Sequence, residues 1–69
     1  MPVAVEKLEA GRCYQTAEGQ VRLLVRFDGD HLHYVVERSG AFPVWNKLMW
    51  LKVRRNVFAA EAEREVMRR

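Results

Sequence analysis

The segment QVRLLVRFDGDHLHYVVER, from Gln20 to Arg38, decides the fold of this 69-residue chain. Apolar residues alternate with polar ones in both halves, and β-branched and aromatic side chains predominate, which is typical of strands with one buried face. Between the halves, Asp28-Gly29-Asp30 is a strong turn signal. The segment therefore predicts a β-hairpin at the centre of the protein.

The same alternation predicts the register of the hairpin. If Gly29 and Asp30 form a two-residue loop, Phe27 lies opposite Leu32 and each arm keeps its apolar residues on one face. A loop of Asp28 and Gly29 also matches the faces but sets Phe27 against Asp30, so the first register is preferred. The residues predicted to point inward are Val21, Leu23, Val25, Phe27, Leu32, Tyr34 and Val36.

Leu24 interrupts the polar face of the hairpin. In the preferred register it lies opposite Val35, and two apolar side chains paired across strands form a surface that needs a cover. Leu48 on the next predicted strand could enlarge this surface. Either the C-terminal helix or a second copy of the chain would cover it. The prediction is a homo-oligomer, most simply a dimer, with Leu24, Val35 and Leu48 as the candidate self-association residues.

The flanking segments supply further strands. Residues 1–9 are predicted to form an edge strand or a tail. The stretch from Arg12 to Thr16 predicts a short strand with Cys13 or Tyr14 inward. After a break at a proline, residues 44–53 predict a third long strand with apolar residues on both faces, which indicates a bulge or a strand that is covered on both sides.

The last part of the chain has the composition of a helix. Strong helix formers follow Asn56, a good N-cap residue, and Phe58, Ala62 and Val66 fall on one helical stripe. Acidic and basic residues are spaced three or four apart, as they are in stabilised helices. The sequence predicts a C-terminal helix over residues 56–68.

This order of elements predicts one mainly β domain over residues 1–69. Its architecture is a small, strongly bent antiparallel sheet, or a partly open barrel, of four to five strands with a C-terminal helix. The alternative is an α+β meander with the helix packed on one sheet face. The short chain, its compact turns and the apolar residues on both faces favour the barrel.

Three features of the chain resemble SH3-like or Tudor-like small barrels: the stretch from Gly11 to Thr16, the turn from Asp28 to Asp30, and Trp45. Residues 58–60 and 65–66 look like the closing segment of short, uncharacterised bacterial proteins. The resemblance implies the barrel fold and no particular activity. Proteins with such barrels mostly bind peptides, nucleic acids or copies of themselves.

Composition restricts the class of protein. A hydrophobic fraction of 49% is normal for a globular domain, and a single cysteine excludes an intrachain disulfide bond. The sequence has no apolar run of membrane-spanning length, and its first residues lack the pattern of a signal peptide. We therefore expect a cytoplasmic protein that does not contact membranes.

A mild excess of positive charge permits an anionic partner. The formal net charge is +3 and the sequence pI is about 9.5. Basic residues lie among aromatic ones, and this combination binds phosphates and stacks on bases. The competing interpretation, that Trp45 and Trp50 belong to the core, is preferred because so small a core needs large side chains. The candidate nucleic-acid contacts are Arg22, Arg26, Lys47, Trp50, Lys52, Arg54 and Arg55.

Catalytic and metal-binding signals are weak. Residues 28–33 combine two aspartates with His31 and His33, but a polar turn beside a solvated strand explains them better than a metal site does. The sequence has no serine beside a base and no glycine-rich phosphate loop. It predicts a non-catalytic interaction module without metal or cofactor, protein-binding or self-assembling, with weak, non-sequence-specific nucleic-acid binding as the alternative.

Overall fold

The computed structural model describes residues 3–67. Within them the chain forms five antiparallel strands in one open sheet and a single α-helix, so the predicted mainly β class is confirmed. The strand order is β4-β3-β2-β1-β5, and the resemblance to SH3-like barrels stays a prediction. The elements are β1 (Cys13–Thr16), β2 (Val21–Asp28), β3 (His31–Val36), β4 (Leu51–Arg54), α1 (Arg55–Glu61) and β5 (Ala62–Val66).

The loop of the central hairpin is the predicted one. Phe27 pairs with Leu32, which leaves Gly29 and Asp30 at the tip. Gly29 has φ of 63°, in the left-handed region that glycine adopts without a steric penalty. The turn therefore forms for the reason that the sequence indicates.

Beyond the loop, a bulge at Val25 overturns the predicted register. Leu24 lies opposite Tyr34 and Leu23 opposite Val35, because the pairing shifts between Leu24 and residue 26. An extra residue in one strand exchanges the faces of all residues before it. Leu24 consequently belongs to the core rather than to the outer face, and the predicted pair of Leu24 with Val35 does not exist.

The core lies between the sheet and α1. Phe58 of the helix is fully buried and packs edge-on against Tyr14, with ring centroids 5.7 Å apart, and obliquely against Tyr34 at 5.3 Å. Such aromatic pairs add to the free energy gained by burying their area. The core residues are Leu8, Tyr14, Leu24, Leu32, Phe58, Ala59 and Ala62, with Val3, Phe27, Tyr34 and Val53 packed against them.

The prediction of which hairpin side chains point into the core is therefore only partly correct. Leu32 is in the core and Phe27 and Tyr34 pack against it, as expected. The expectation was wrong for the residues that precede the bulge: Val21 and Leu23 are half-buried and face away from the helix. Val25 and Val36 are also only half-buried.

The face opposite the helix is also partly apolar. Cys13 of β1 pairs with Leu23 of β2 and with Val66 of β5, and Leu23 pairs with Val35 of β3. These four side chains form a row across the sheet, in which Cys13 is 8% exposed and Val35 fully buried. Cys13 and Tyr14 are thus both buried, on opposite faces.

The segment 3–9 is neither a strand nor a tail. A 3-10 helix spans Val5–Lys7, and Leu8 follows it into the core. The Val3 N–H donates a hydrogen bond to the Ala62 carbonyl at 2.9 Å. These contacts tie the segment to the main body, and the rest of the predicted edge strand, residues 1 and 2, lies outside the described residues.

The predicted helix over residues 56–68 is too long. α1 ends at Glu61, and β5 continues the sheet by pairing with β1. Without β5, β1 would be an edge with unpaired backbone groups, and pairing overrides the helix propensity of this segment. Arg12 contacts Glu65 at 2.8 Å and Arg64 donates to Gln15, so contacts between strands replace the expected helical ones. Residue 68 lies outside the described residues.

The third strand is much shorter than predicted. Within this part of the chain, the segment that pairs with β3 is Leu51–Arg54. The residues before it form a connection that contains a 3-10 helix over Lys47–Met49. The Asn46 side chain caps this helix by accepting a hydrogen bond from the Leu48 N–H at 3.1 Å. This connection carries both tryptophans and places them outside the core.

Candidate nucleic-acid interface

A basic cleft lies on the sheet face that is remote from α1. It has a volume of about 400 Å³. Strand pairing places Arg26 of β2 beside His33 of β3 and Lys52 of β4 beside the same histidine, so the three adjacent strands supply three neighbouring side chains. The connection between β3 and β4 completes the cleft. Its lining residues are Arg26, His33, Lys47, Trp50 and Lys52, hereafter the basic cleft.

Trp50 is held in place by its indole nitrogen. Nε1 donates a hydrogen bond to the Val44 carbonyl at 3.0 Å, which also fixes the start of the connection. The indole lies 5.7 Å from the His33 ring, with the planes inclined at 50°, and the Lys47 ammonium lies 5.7 Å from the indole centroid. The half-buried indole therefore forms one wall of the basic cleft.

One carboxylate lies beside the cations of the cleft. Asp28 Oδ2 is 3.4 Å from Lys52 Nζ and 3.9 Å from Arg26 Nη2. Hydrogen bonding to Lys52, followed by the charges of Lys52 and Arg26, lowers the pKa of Asp28 below its ordinary value. Asp28 is therefore ionised at neutral pH and offsets part of the positive charge of the cleft.

The cationic surface continues toward the hairpin tip. Arg54 pairs with His31 in the register that pairs Lys52 with His33, and residues two apart on a strand share a face. Arg54 and His31 therefore extend the basic cleft along β3 and β4. The His31 ring is anchored by Asp30, whose Oδ1 lies 2.8 Å from Nδ1.

Two of the predicted contacts lie elsewhere. Arg22 precedes the bulge and so faces the helix, where its guanidinium lies 4.7 Å from the Tyr34 ring centroid and pairs with Glu61 at 2.7 Å. Arg55 begins α1 and stacks on Phe27 at 4.1 Å. Both guanidiniums cover aromatic rings of the core, so neither belongs to the basic cleft.

The structure brings together the remaining predicted contacts. Arg26, Lys47, Trp50 and Lys52 line the cleft and Arg54 adjoins it. His33 was missing from the candidate contacts, although its place on the outer face of the hairpin, which it shares with Arg26, indicated it. The preferred interpretation that both tryptophans are core residues is wrong, since Trp45 is 74% exposed.

The predicted self-association residues separate into two groups. Leu24 and Val35 are fully buried within the fold and present no surface to a second copy. Leu48 is 93% exposed on the connection between β3 and β4, which also carries the exposed Val44 and Trp45. The one exposed side chain of the three predicted self-association residues therefore lies on this connection rather than on the hairpin.

Among the described residues, no three His, Cys, Asp or Glu side chains come together as ligands for a metal ion. Within residues 3–67, no helix has the length and the apolar character that crossing a membrane requires. Comparison of the chain with models of protein families, with curated proteins and with solved structures finds no match in any of the three.

Proposed function

We propose that this protein is a non-catalytic module that binds single-stranded nucleic acid through the basic cleft. The observation that carries the proposal is the convergence of Arg26, Lys47 and Lys52 around the indole of Trp50. Cations bind the phosphate backbone, and an aromatic face stacks on a base whatever its identity. The cleft supplies both kinds of contact within one small surface.

Single strands suit this surface better than a duplex does. Stacking on Trp50 needs a base that is not already stacked between neighbours, and Trp45 offers a second exposed indole on the same connection. The helix α1, by contrast, has seven residues and packs Phe58 and Ala59 against the opposite face of the sheet. A helix held in this way does not enter a major groove. Binding is accordingly weak and independent of sequence.

The charge of the basic cleft determines how steeply the binding of a single strand should depend on salt. If about three phosphates are neutralised, a plot of the logarithm of the affinity for a single strand against the logarithm of the salt concentration should have a slope of about −2. A partner bound through apolar contacts would show no such fall. Salt dependence therefore separates this proposal from protein binding through the exposed connection.

The test is a fluorescence-anisotropy titration of labelled twelve-nucleotide oligothymidylate at low salt. The parent is compared with Lys47→Glu and with Lys7→Glu, an equal change of charge on the 3-10 helix beside α1. We expect Lys47→Glu to weaken binding about tenfold and to reduce the salt slope by about 1. Lys7→Glu should change neither by much. Equal effects of the two variants, or no binding by the parent at about 100 μM protein, would rule out the cleft as a nucleic-acid site.

A second candidate function is self-assembly or protein binding through the connection between β3 and β4. The observation that favours it is the 93% exposure of Leu48 on the connection that also carries the exposed Trp45. An apolar surface of this kind often marks a contact with another protein. Sedimentation of the parent and of Leu48→Ser tests it: an oligomer that Leu48→Ser dissociates supports it, and a parent that is monomeric at high concentration excludes self-assembly.

A further inference from the structure

The strand β4 ends the sheet and presents a free edge. Among residues 3–67, only β3 pairs with it. The Arg55 N–H donates to the Asp30 carbonyl at 2.9 Å, and hydrogen-bonded pairs recur at every second residue of an antiparallel ladder. Val53 is therefore also bonded to β3, whereas the N–H and carbonyl of Lys52 and the N–H of Arg54 face outward. The Arg54 carbonyl is at the N-cap of α1 and accepts the first hydrogen bond of that helix. The outward groups form a short template for an additional strand.

The two sides of this edge differ in chemistry. Lys52 and Arg54 put positive charge on the face of the basic cleft. On the other face, Leu51 is 46% exposed and lines a small cleft of about 170 Å³. Val36, Leu48 and Met49 line the same cleft together with one cation, Arg38. A strand added to the edge would therefore meet cations on one side and a largely apolar recess on the other.

A second copy of the chain does not suit the edge. If two β4 strands paired about a two-fold axis at Val53, Lys52 of each copy would lie opposite Arg54 of the other. An axis at Lys52 would place that residue opposite itself. Like charges directly opposite one another destabilise an antiparallel pair. If the two-fold axis lay between Lys52 and Val53 instead, the cationic face of one copy would lie beside the apolar face of the other.

We propose that the β4 edge binds an extended peptide in which acidic residues alternate with apolar ones. The peptide adds to the sheet as a sixth strand, and its backbone bonds to the outward groups of Lys52 and Arg54. Its carboxylates pair with these two cations, while an apolar side chain enters the recess beside Leu51. The β4 edge and the basic cleft are different surfaces, but Lys52 belongs to both. The peptide and a nucleic acid should therefore compete for the protein.

Arg54 allows the backbone bond to be tested separately from the charge. Its φ of −68° is the value that proline requires, and its outward N–H is one of the donors that the peptide would use. Arg54→Pro removes both the charge and the donor, whereas Arg54→Gln removes the charge alone. Proline is tolerated at an edge strand whose N–H faces solvent, and thermal unfolding checks that both variants fold.

The probe is a fluorescein-labelled peptide of sequence Glu-Val-Glu-Leu-Glu-Val-Glu, titrated by anisotropy. We expect Arg54→Gln to weaken binding two- to fivefold and Arg54→Pro to weaken it about fivefold further, the effect of one lost hydrogen bond. The same peptide with lysine in place of glutamate should not bind. Equal affinities of the two variants, or no binding of the acidic peptide at millimolar protein, would overturn the proposal.

A second measurement uses the peptide backbone and no protein variant. Two versions of the probe are N-methylated, one at the odd and one at the even residues, because alternate amides of a strand face opposite edges. Addition to β4 requires that one version lose binding at least tenfold and that the other remain within about twofold of the parent. Equal behaviour of the two versions would exclude strand addition.

Discussion

Leu24 of β2 lies opposite Tyr34 of β3, one residue away from the partner that an unbroken hairpin would give it. The displacement results from the bulge at Val25. It turns Leu24 toward the helix, where it is fully buried, and it turns Arg22 toward the same face. The arginines that flank the bulge, Arg22 and Arg26, consequently lie on opposite faces of the sheet, and only Arg26 reaches the basic cleft.

The bulge predicts different costs for two adjacent leucines. Leu24→Ala removes a fully buried side chain and should lower the free energy of unfolding by about 2–5 kcal/mol. Leu23→Ala removes a half-buried side chain from the other face and should cost clearly less. Urea unfolding of both variants measures the difference. An unbroken hairpin would give the opposite order, so a larger cost for Leu23→Ala would contradict the register described here.

Local signals in the sequence were sufficient for the hairpin loop but not for the bulge. Asp28 to Asp30 specifies its turn through glycine, and the loop is as predicted. The only sign of the bulge was Leu24 on the polar side. From the sequence alone it is interpreted as a surface that the C-terminal helix or a second copy of the chain would cover, although a shift of register explains it as well. The choice depends on whether Leu24 can join Phe58 in the core, which brings together residues distant in sequence.

The last strand shows the same dependence on distant contacts. Residues 62–66 have helical composition, and it is the free edge of β1 that draws them into the sheet. The basic cleft was foreseen in part, since its cations were among the predicted contacts. Its location depends on the connection before β4, where Asn46 caps a 3-10 helix and the Trp50 indole bonds to Val44. Alternation of residue types could not predict that geometry.

Tyr14 should make stability depend on alkaline pH. Burial raises the pKa of its hydroxyl, which accepts a hydrogen bond from the Glu9 N–H at 3.0 Å. A raised pKa in the folded state gives a contribution that is fully present below the ordinary value of about 10 and is lost as the pH rises toward the folded value. The parent should therefore lose stability in that range.

The matched variant is Tyr14→Phe, which keeps the ring packed on Phe58 and removes the ionisable group. Near pH 8 it should be less stable than the parent by about 1 kcal/mol, because the Glu9 N–H loses its acceptor. Above about pH 10 the difference should shrink, because Tyr14 ionises more readily in the unfolded parent than in the folded parent, whereas phenylalanine does not titrate. Chemical unfolding across this range measures it, and a constant difference would show that Tyr14 does not titrate with folding.

Asp28 should weaken the binding of anions to the basic cleft. Its pKa is lowered, so at neutral pH its carboxylate repels a phosphate while it holds Lys52 and Arg26. Asp28→Asn removes the charge and should tighten oligothymidylate binding about two- to fivefold at low salt. Glu18→Gln, in the exposed turn between β1 and β2, removes an equal charge and should have little effect. Weaker binding by Asp28→Asn would mean that the cations need Asp28 to hold their positions.

The most direct test of the proposed function is the location of the bound strand on the protein. Oligothymidylate is titrated into ¹⁵N-labelled protein while backbone amide and indole signals are followed by NMR. We expect the largest shifts at Arg26, His33, Lys47, Lys52 and the Trp50 indole, with Lys7, Ala59 and Ala62 unchanged. Shifts centred on α1, or no shifts when excess oligothymidylate is added to about 100 μM protein at low salt, would contradict binding at the basic cleft.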